Sequence, residues 1–212
     1  LDLAATASIG VVVDEGFYPD AETMLRDADT AMYRAKASGR AQCALFDEAM
    51  HETARKRLDL EMDLNRAMGG DQLVAFYQPI VCLRTGRITG FEALLRWLHP
   101  ERGLISPGDF IPVAEETGLI IPMGLDVLEQ ACTQAQAWRR LREDMDELMM
   151  SVNLSVRQFR SPTLLEDIRG VLERTGFPGR LLKLEITESG VMEHGPRAQE
   201  IMAGLKDMGA RL

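Results

Sequence analysis

From Leu73 onward the sequence repeats one arrangement, a short strand-like run followed by a stretch with helical spacing, and this recurrence restricts the fold more than any single residue. The alternation from Leu73 through Val81 predicts a strand that turns at Arg84-Thr85-Gly86 into a second strand running through Trp97. Ser106-Pro107-Gly108-Asp109 offers an N-cap, a proline at the first helical position and a capping-box acid, opening a short helix that closes near Gly118. A longer helix is expected from about Met123 to Arg142, packing through Val127, Leu128, Ala131, Ala135, Trp138 and Leu141. Next comes a strand from Met149 to Val156, with Met150, Val152 and Leu154 on one face and Ser151, Asn153 and Ser155 on the other. Ser161-Pro162 opens another helix ending at Gly176, a strand returns from Leu181 to Thr187, and a last helix around Ile201, Met202 and Leu205 leads to Gly209. Strand-helix units of roughly 30 residues imply parallel strands with right-handed crossovers, hence an α/β fold, either an open doubly wound sheet or a barrel. Polar residues near strand ends favour the barrel, whose working side chains gather at the carboxyl ends of its strands.

Within this frame the segment Phe91-Glu92-Ala93-Leu94-Leu95-Arg96-Trp97 places a carboxylate and a guanidinium in an apolar strand. An unpaired buried carboxylate costs several kcal/mol or more, so Glu92 needs a metal, a base or a strong donor. A cation at Glu92 and a phosphate at Arg96 would satisfy both, and a structural Glu/Arg pair on one strand is the competing explanation. Glu92, Asn153 and Glu185 are expected near the carboxyl ends of separate strands. Three such oxygen donors suit Mg²⁺ or Mn²⁺ better than zinc, which takes His and Cys.

With 212 residues, 46% hydrophobic and 27% charged, the chain has the composition of a soluble globular protein. A net charge of −9 excludes nonspecific nucleic-acid binding by bulk electrostatics and predicts no DNA partner, while leaving room for a small basic pocket for a phosphorylated ligand. Cys43, Cys82 and Cys132 are widely spaced and odd in number, which fits a reducing, cytoplasmic compartment without a disulfide framework. No apolar run is long enough for a membrane span, so any anchor of a longer parent protein would lie in segments outside this chain. His51, His99 and His194 are scattered and read as surface or loop histidines.

The leading segment has a different character. Residues 5 to 13 read as a β-branched strand, and a helix starting near Asp20 runs through Met24, Leu25, Ala28, Met32, Tyr33 and Ala35 to Gly39. This is a strand and helix without a sheet of their own, and about 46 residues hardly bury a stable core. Residues 47 to 68 read as a connecting helix with Met50, Ala54, Leu58, Met62 and Leu64 on or near one face, ended by Gly69-Gly70. The chain opens without Met and stops just after Gly209, and it is expected to be a fragment of a longer protein.

Over roughly residues 56 to 212 the motifs resemble those of EAL domains, cyclic di-GMP phosphodiesterases on a modified (β/α)8 barrel. The resemblance rests on Tyr77-Gln78-Pro79-Ile80-Val81, Glu92-Ala93-Leu94-Leu95-Arg96-Trp97, Pro107-Gly108-Asp109-Phe110-Ile111-Pro112, Val152-Asn153-Leu154-Ser155 and Leu184-Glu185-Ile186-Thr187-Glu188-Ser189, in family order and spacing. It implies that Glu92, Asn153 and Glu185 are metal ligands, that Arg96 contacts the substrate phosphate, that Gln78 and Leu94 line the ligand groove, and that Glu188 is a second acid of the site. It further implies hydrolysis of cyclic di-GMP to linear pGpG with two Mg²⁺ or Mn²⁺ ions in the complete site. The family's paired aspartates would fall just beyond Leu212, so the chain is expected to carry an incomplete barrel and to be inactive alone. A non-catalytic cyclic di-GMP receptor is the main alternative, and an unrelated Mg²⁺-dependent barrel hydrolase a weaker one.

Ala5 to Val13 followed by Ala28-Asp29-Thr30-Ala31-Met32-Tyr33-Arg34-Ala35-Lys36-Ala37-Ser38-Gly39-Arg40 resembles the end of a GGDEF domain, the diguanylate cyclase fold. That resemblance implies a remnant over residues 1 to 46, a connector over 47 to 68 and the EAL portion over 69 to 212. It places Lys36 and Arg40 one helical turn apart, both able to reach a GTP phosphate in a complete GGDEF domain, and a basic helix end favourable to the helix dipole is the competing account. A homodimer of the parent is left open.

Overall fold

The computed structural model describes residues 6–14, 18–141, 145–186 and 195–212, and they fall into two compact units, Leu1–Met62 and Asp63–Leu212. In the first unit, strand β1 (Ile9–Val11) is followed by helix α1 (Ala21–Ala37) and strand β2 (Cys43–Leu45). Asp20 caps α1 by accepting from the Thr23 amide at 2.6 Å, as a short acidic side chain at an N-cap should. Ala31 and Ala35 are its buried positions, together with Asp27. The expectation of a strand and helix without a sheet is corrected here: β1 pairs in parallel with β2, Ile9 opposite Cys43. A three-residue strand such as Cys43-Ala44-Leu45 is too short to show alternation, which is why the pattern missed it.

Helix α2 (Glu48–Ala67) crosses from the first unit into the second, where Leu64 and Ala67 are buried. The second unit is built on a mixed five-stranded sheet in the order β3-β4-β6-β7, with β5 added to the far part of β4. Its strands are β3 (Leu73–Val81), β4 (Ile88–His99), β5 (Gly103–Ile105), β6 (Met149–Leu154) and β7 (Leu182–Ile186). β3 and β4 form an antiparallel hairpin, and β4, β6 and β7 run parallel. After β7 and helix α7 (Gly195–Asp207), Arg211 lies parallel to Lys183 and exchanges backbone hydrogen bonds with Leu182 and Leu184.

The crossovers carry helices α3 (Pro107–Thr117), α4 (Ile120–Leu141), α5 (Val156–Phe159) and α6 (Leu164–Thr175). One sheet face is covered by them. Ala93, Met150, Val152, Leu154, Leu182 and Leu184 pack there against Val127, Leu128 and Ala131 of α4 and Leu164, Ile168 and Val171 of α6. Trp138 of α4 seats between Tyr77 and Phe91, with ring centroids 5.0 and 4.6 Å away. On the side of β3 away from β4, the Ala75 amide donates to Gln130 Oε1 and Gln130 Nε2 donates to the Leu73 carbonyl, both at 3.0 Å.

Several local expectations are corrected. The Ser106 hydroxyl makes no capping bond to α3, whose first turn is closed instead by the Asp109 amide donating to the Ser106 carbonyl. β6 stops at Leu154 because Ser155 begins a short helix, accepting from the Gln158 amide while Gln158 Oε1 accepts from the Ser155 amide. Leu141, assigned to the packed stripe of α4, is exposed at the helix end. His99, read as a surface or loop residue, is buried at the end of β4: its Nδ1 accepts the amides of Glu101 and Arg102 and its Nε2 lies 3.3 Å from Asp63. His51 lies within α2, and His194 lies outside the described residues.

Candidate active site

The sheet face opposite the helices carries the polar residues, and register alone brings them together. Gln78 stands opposite Glu92, Glu92 opposite Ser151, and Asn153 opposite Glu185. Paired residues in adjacent strands share a face and each strand alternates with period two, so Gln78, Glu92, Leu94, Arg96, Ser151, Asn153, Lys183 and Glu185 all belong to this face. Gly90 makes the close approach of β4 to β6 feasible. A Cβ there would sit 2.6 Å from the Met149 carbonyl oxygen, so any larger residue would push apart the two strands that carry Glu92 and Asn153.

Glu92 is held by a neutral donor: Asn153 Nδ2 donates to Glu92 Oε1 at 2.8 Å. Glu185 is held by two donors on one oxygen, Ser151 Oγ at 2.6 Å and Lys183 Nζ at 2.9 Å, both to Oε1. The Ser151 hydrogen bond, then that of Lys183, keeps the Glu185 carboxyl below the usual carboxylate range, and partial burial opposes the shift. Arg96 donates to the Leu95 carbonyl at 2.9 Å, and its guanidinium lies 5.9 Å from the centroid of the Phe76 ring. Glu92 and Arg96 do not pair with each other: four residues along a strand separate their Cα atoms by about 13 Å.

One positional expectation is corrected. Asn153 and Glu185 sit one residue before the ends of β6 and β7, but Glu92 is the fifth residue of a 12-residue strand. Its parallel pairing with β6 stops at Ala93, and the rest of β4 runs on to pair with β5 as a hairpin. Glu92 is thus close to the end of the parallel ladder, though not of its strand. Leu94 stands opposite Phe76 one layer further along the same face.

Glu188 lies outside the described residues. In the first unit, Lys36 is exposed in the last turn of α1, but the helix ends at Ala37 and Arg40 adopts a left-handed backbone with φ 60°. Lys36 and Arg40 therefore do not share one continuous helix face, because α1 ends between them, and the Arg40 amide closes that end by donating to the Ala35 carbonyl at 3.1 Å. Sequence reasoning passed over Ser151 and Lys183, although each lies two residues before a candidate ligand and the strand period puts each on the same face. Among the described residues no three His, Cys, Asp or Glu side chains cluster closely enough to hold an ion, and the candidate oxygen donors on this face are the Glu92 and Glu185 carboxylates and the Asn153 amide. All are hard oxygen donors once Asn153 presents Oδ1 by rotating its amide, which fits Mg²⁺ or Mn²⁺ and does not fit zinc. This face is open, and a concavity of about 640 Å³ in the same unit lies elsewhere, beside α4, lined by Leu73, Ala75, Tyr77, Asp126 and Glu129.

A mixed sheet with helices on one face, and acids, an amide and an arginine on the other, is an α/β domain with a polar sheet face. Comparison with known proteins agrees: the EAL domain family matches residues 61–212, and the chain belongs to that family. The bifunctional diguanylate cyclase/cyclic di-GMP phosphodiesterase MucR of Pseudomonas aeruginosa is 39% identical over 208 residues, covering 98% of this chain and 30% of MucR. The cyclic di-GMP phosphodiesterase PdeR of Escherichia coli is 35% identical over 212 residues, covering 100% of this chain and 32% of PdeR. A solved structure described as the PaMucR phosphodiesterase in complex with c-di-GMP superposes with a TM-score of 0.68 at 41% identity, covering 72% of this chain and 61% of that one. The chain thus spans about a third of the length of these two curated relatives. Among the described residues no helix is long and apolar enough to cross a membrane.

Proposed function

We propose that this chain carries the metal-binding and phosphate-binding half of a cyclic di-GMP phosphodiesterase site. Its sheet would be the first part of a (β/α)8 barrel. The observation that carries the reading is the register that sets Glu92, Asn153 and Glu185 on neighbouring parallel strands of one face, with Arg96 on that face beyond Glu92. Glu92, Glu185 and the Asn153 amide oxygen would hold the divalent ion. When bound, such an ion acidifies a water molecule and offsets charge on the phosphoryl oxygens. A guanidinium has five N–H donors, so the Leu95 bond leaves Arg96 able to grip the nonbridging phosphate oxygens in two-pronged fashion. Leu94 and Gln78, on the same face, would shape the groove for the dinucleotide. Water adds to phosphorus, one P–O bond to the ribose breaks, and the released ribose oxygen leaves as a hydroxyl, giving linear pGpG. Glu188 would serve the same site as a second acid. The first unit would be the end of a GGDEF domain, a GTP-binding fold when complete, and the residues from 47 to 68 its connector to the EAL portion.

The test is pGpG formation from cyclic di-GMP with Mg²⁺, using the full-length protein in parent and Glu92→Ala forms. Turnover in the parent and its loss in the variant, by about 10²-fold or more, is expected. Binding without turnover in the parent would make the protein a receptor, and full activity of E92A would remove Glu92 from the site.

A further inference from the structure

The outstanding feature of the site is that a lysine already occupies one of its carboxylates. Ser151 is almost completely buried, and its hydroxyl and the Lys183 ammonium both donate to the same atom, Glu185 Oε1. The side chains of Lys183 and Glu185 are 39% and 35% exposed, so this ion pair lies neither in bulk solvent nor in a dry core. Two donors on Oε1 restrain the Glu185 carboxylate and leave Oε2 without a share in either bond.

We propose, on the basis that Glu185 is a metal ligand, that Ser151 aims this carboxylate and that Lys183 is a resident counter-cation, which holds Glu185 in place without metal and opposes the charge of a metal that Glu185 would bind. The two residues therefore have opposite effects on metal affinity. Removing the Ser151 hydroxyl lets Glu185 swing and costs the preorganisation that outer partners give a ligand, which is about 10-fold in affinity. Removing the lysine charge would take away a positive neighbour of the ion that Glu185 would hold and strengthen metal binding, about 10-fold after solvent screening. In the metal-free protein Glu185 then loses its compensating charge and the fold is weakened. A purely structural role for this cluster would shift both variants in one direction or leave metal affinity untouched. Lys183 and Ser151 are positioning residues: neither needs to touch the ion or the substrate.

The experiment is a Mn²⁺ titration of the metal-free full-length protein, with free Mn²⁺ read by electron paramagnetic resonance and melting followed in chelator. Lys183→Met and Lys183→Gln should bind Mn²⁺ about 10-fold more tightly while melting a few degrees lower without metal. Lys183→Arg should stay near the parent in both readings, and Ser151→Ala should bind about 10-fold more weakly. Unchanged or weaker Mn²⁺ binding in both neutral Lys183 variants, or unchanged binding in S151A, overturns the proposal. Glu185→Ala separates the two levels: unchanged Mn²⁺ binding there would reject Glu185 as a ligand, whereas lost binding there with unmoved Lys183 and Ser151 variants would reject the roles of Lys183 and Ser151 and leave Glu185 as a ligand.

Discussion

Replacing Trp97 with alanine tests whether the strand that carries Glu92 and Arg96 is anchored as described. The Trp97 ring is fully buried and meets Phe110 edge-on at 5.6 Å between centroids, while Nε1 donates to Gln72 Oε1 at 3.2 Å. A buried tryptophan removes 150–250 Å² from water, worth about 4–6 kcal/mol at 25 cal/mol/Å². Compact unfolded chains lower that figure, and the lost hydrogen bond adds about 1 kcal/mol, so a loss of about 4 kcal/mol is expected. A domain of this kind has only about 5–15 kcal/mol to lose. Trp138 is then the one tryptophan left of two, and it packs against Phe91 of the same strand, so its emission during urea unfolding reports the second unit selectively. Trp97→Phe keeps an aromatic ring towards Phe110 but leaves Gln72 without its donor, and should cost about 1–2 kcal/mol. A loss below about 1.5 kcal/mol for W97A at unchanged denaturant slope would refute the packing of this strand end.

Burial pushes the Cys132 thiol up to about 12, and Thr85 lowers that of Cys82, so native protein at pH 8 should react with a thiol reagent at Cys82 and the exposed Cys43 while Cys132 stays unlabelled until denatured; fast labelling of Cys132 would mean that α4 opens readily. Arg174 donates to both carboxylate oxygens of Glu129, at 3.2 and 2.6 Å, and lowers the Glu129 pKa. A lowered folded pKa stabilises above the unfolded value of about 4.3 and is lost as pH falls through the folded value. Arg174→Met should therefore be slightly less stable than the parent at pH 7, a small effect for so exposed a pair, and the two melting curves should converge in strong acid. An equal gap at both pH values would assign the effect to lost packing of the arginine stem.

Period-two reasoning was most informative where strands are long and one face is buried. The bounds of β3 agree with Leu73 through Val81 because Leu73, Ala75 and Tyr77 face the helices in strict alternation. The same alternation explains why Glu92, Asn153 and Glu185 share a face once the strands are paired, since in each strand they alternate with core residues such as Ala93, Val152 and Leu184. What the pattern missed is short or non-local. β2, β5 and α5 contain three or four residues each, too few to display a period. His99 is buried because Asp63, thirty-six positions earlier, reaches it, and no local window contains both. The helical spacing of Lys36 and Arg40 failed because α1 ends before Arg40, where Gly39 and Arg40 both take positive φ. Ser151 and Lys183 were visible in the alternation, and Lys183 stands two residues from Glu185 on β7, but that Ser151 of β6 reaches the same Glu185 oxygen depends on the register between β6 and β7.

The glutamine clamp on β3 bears on how the protein avoids its own kind. The hydrogen-bonding groups of Leu73 and Ala75 that face away from β4 are those that an extended segment of another molecule would seize first during crowded synthesis or partial unfolding. Gln130 occupies them from within the same chain, and Pro79, which shares that edge by alternation, has no N–H to offer. An intruding strand could dock fully only around Tyr77, too brief a ladder to nucleate a growing assembly, so one amide and one imino acid protect solubility without a dedicated covering element.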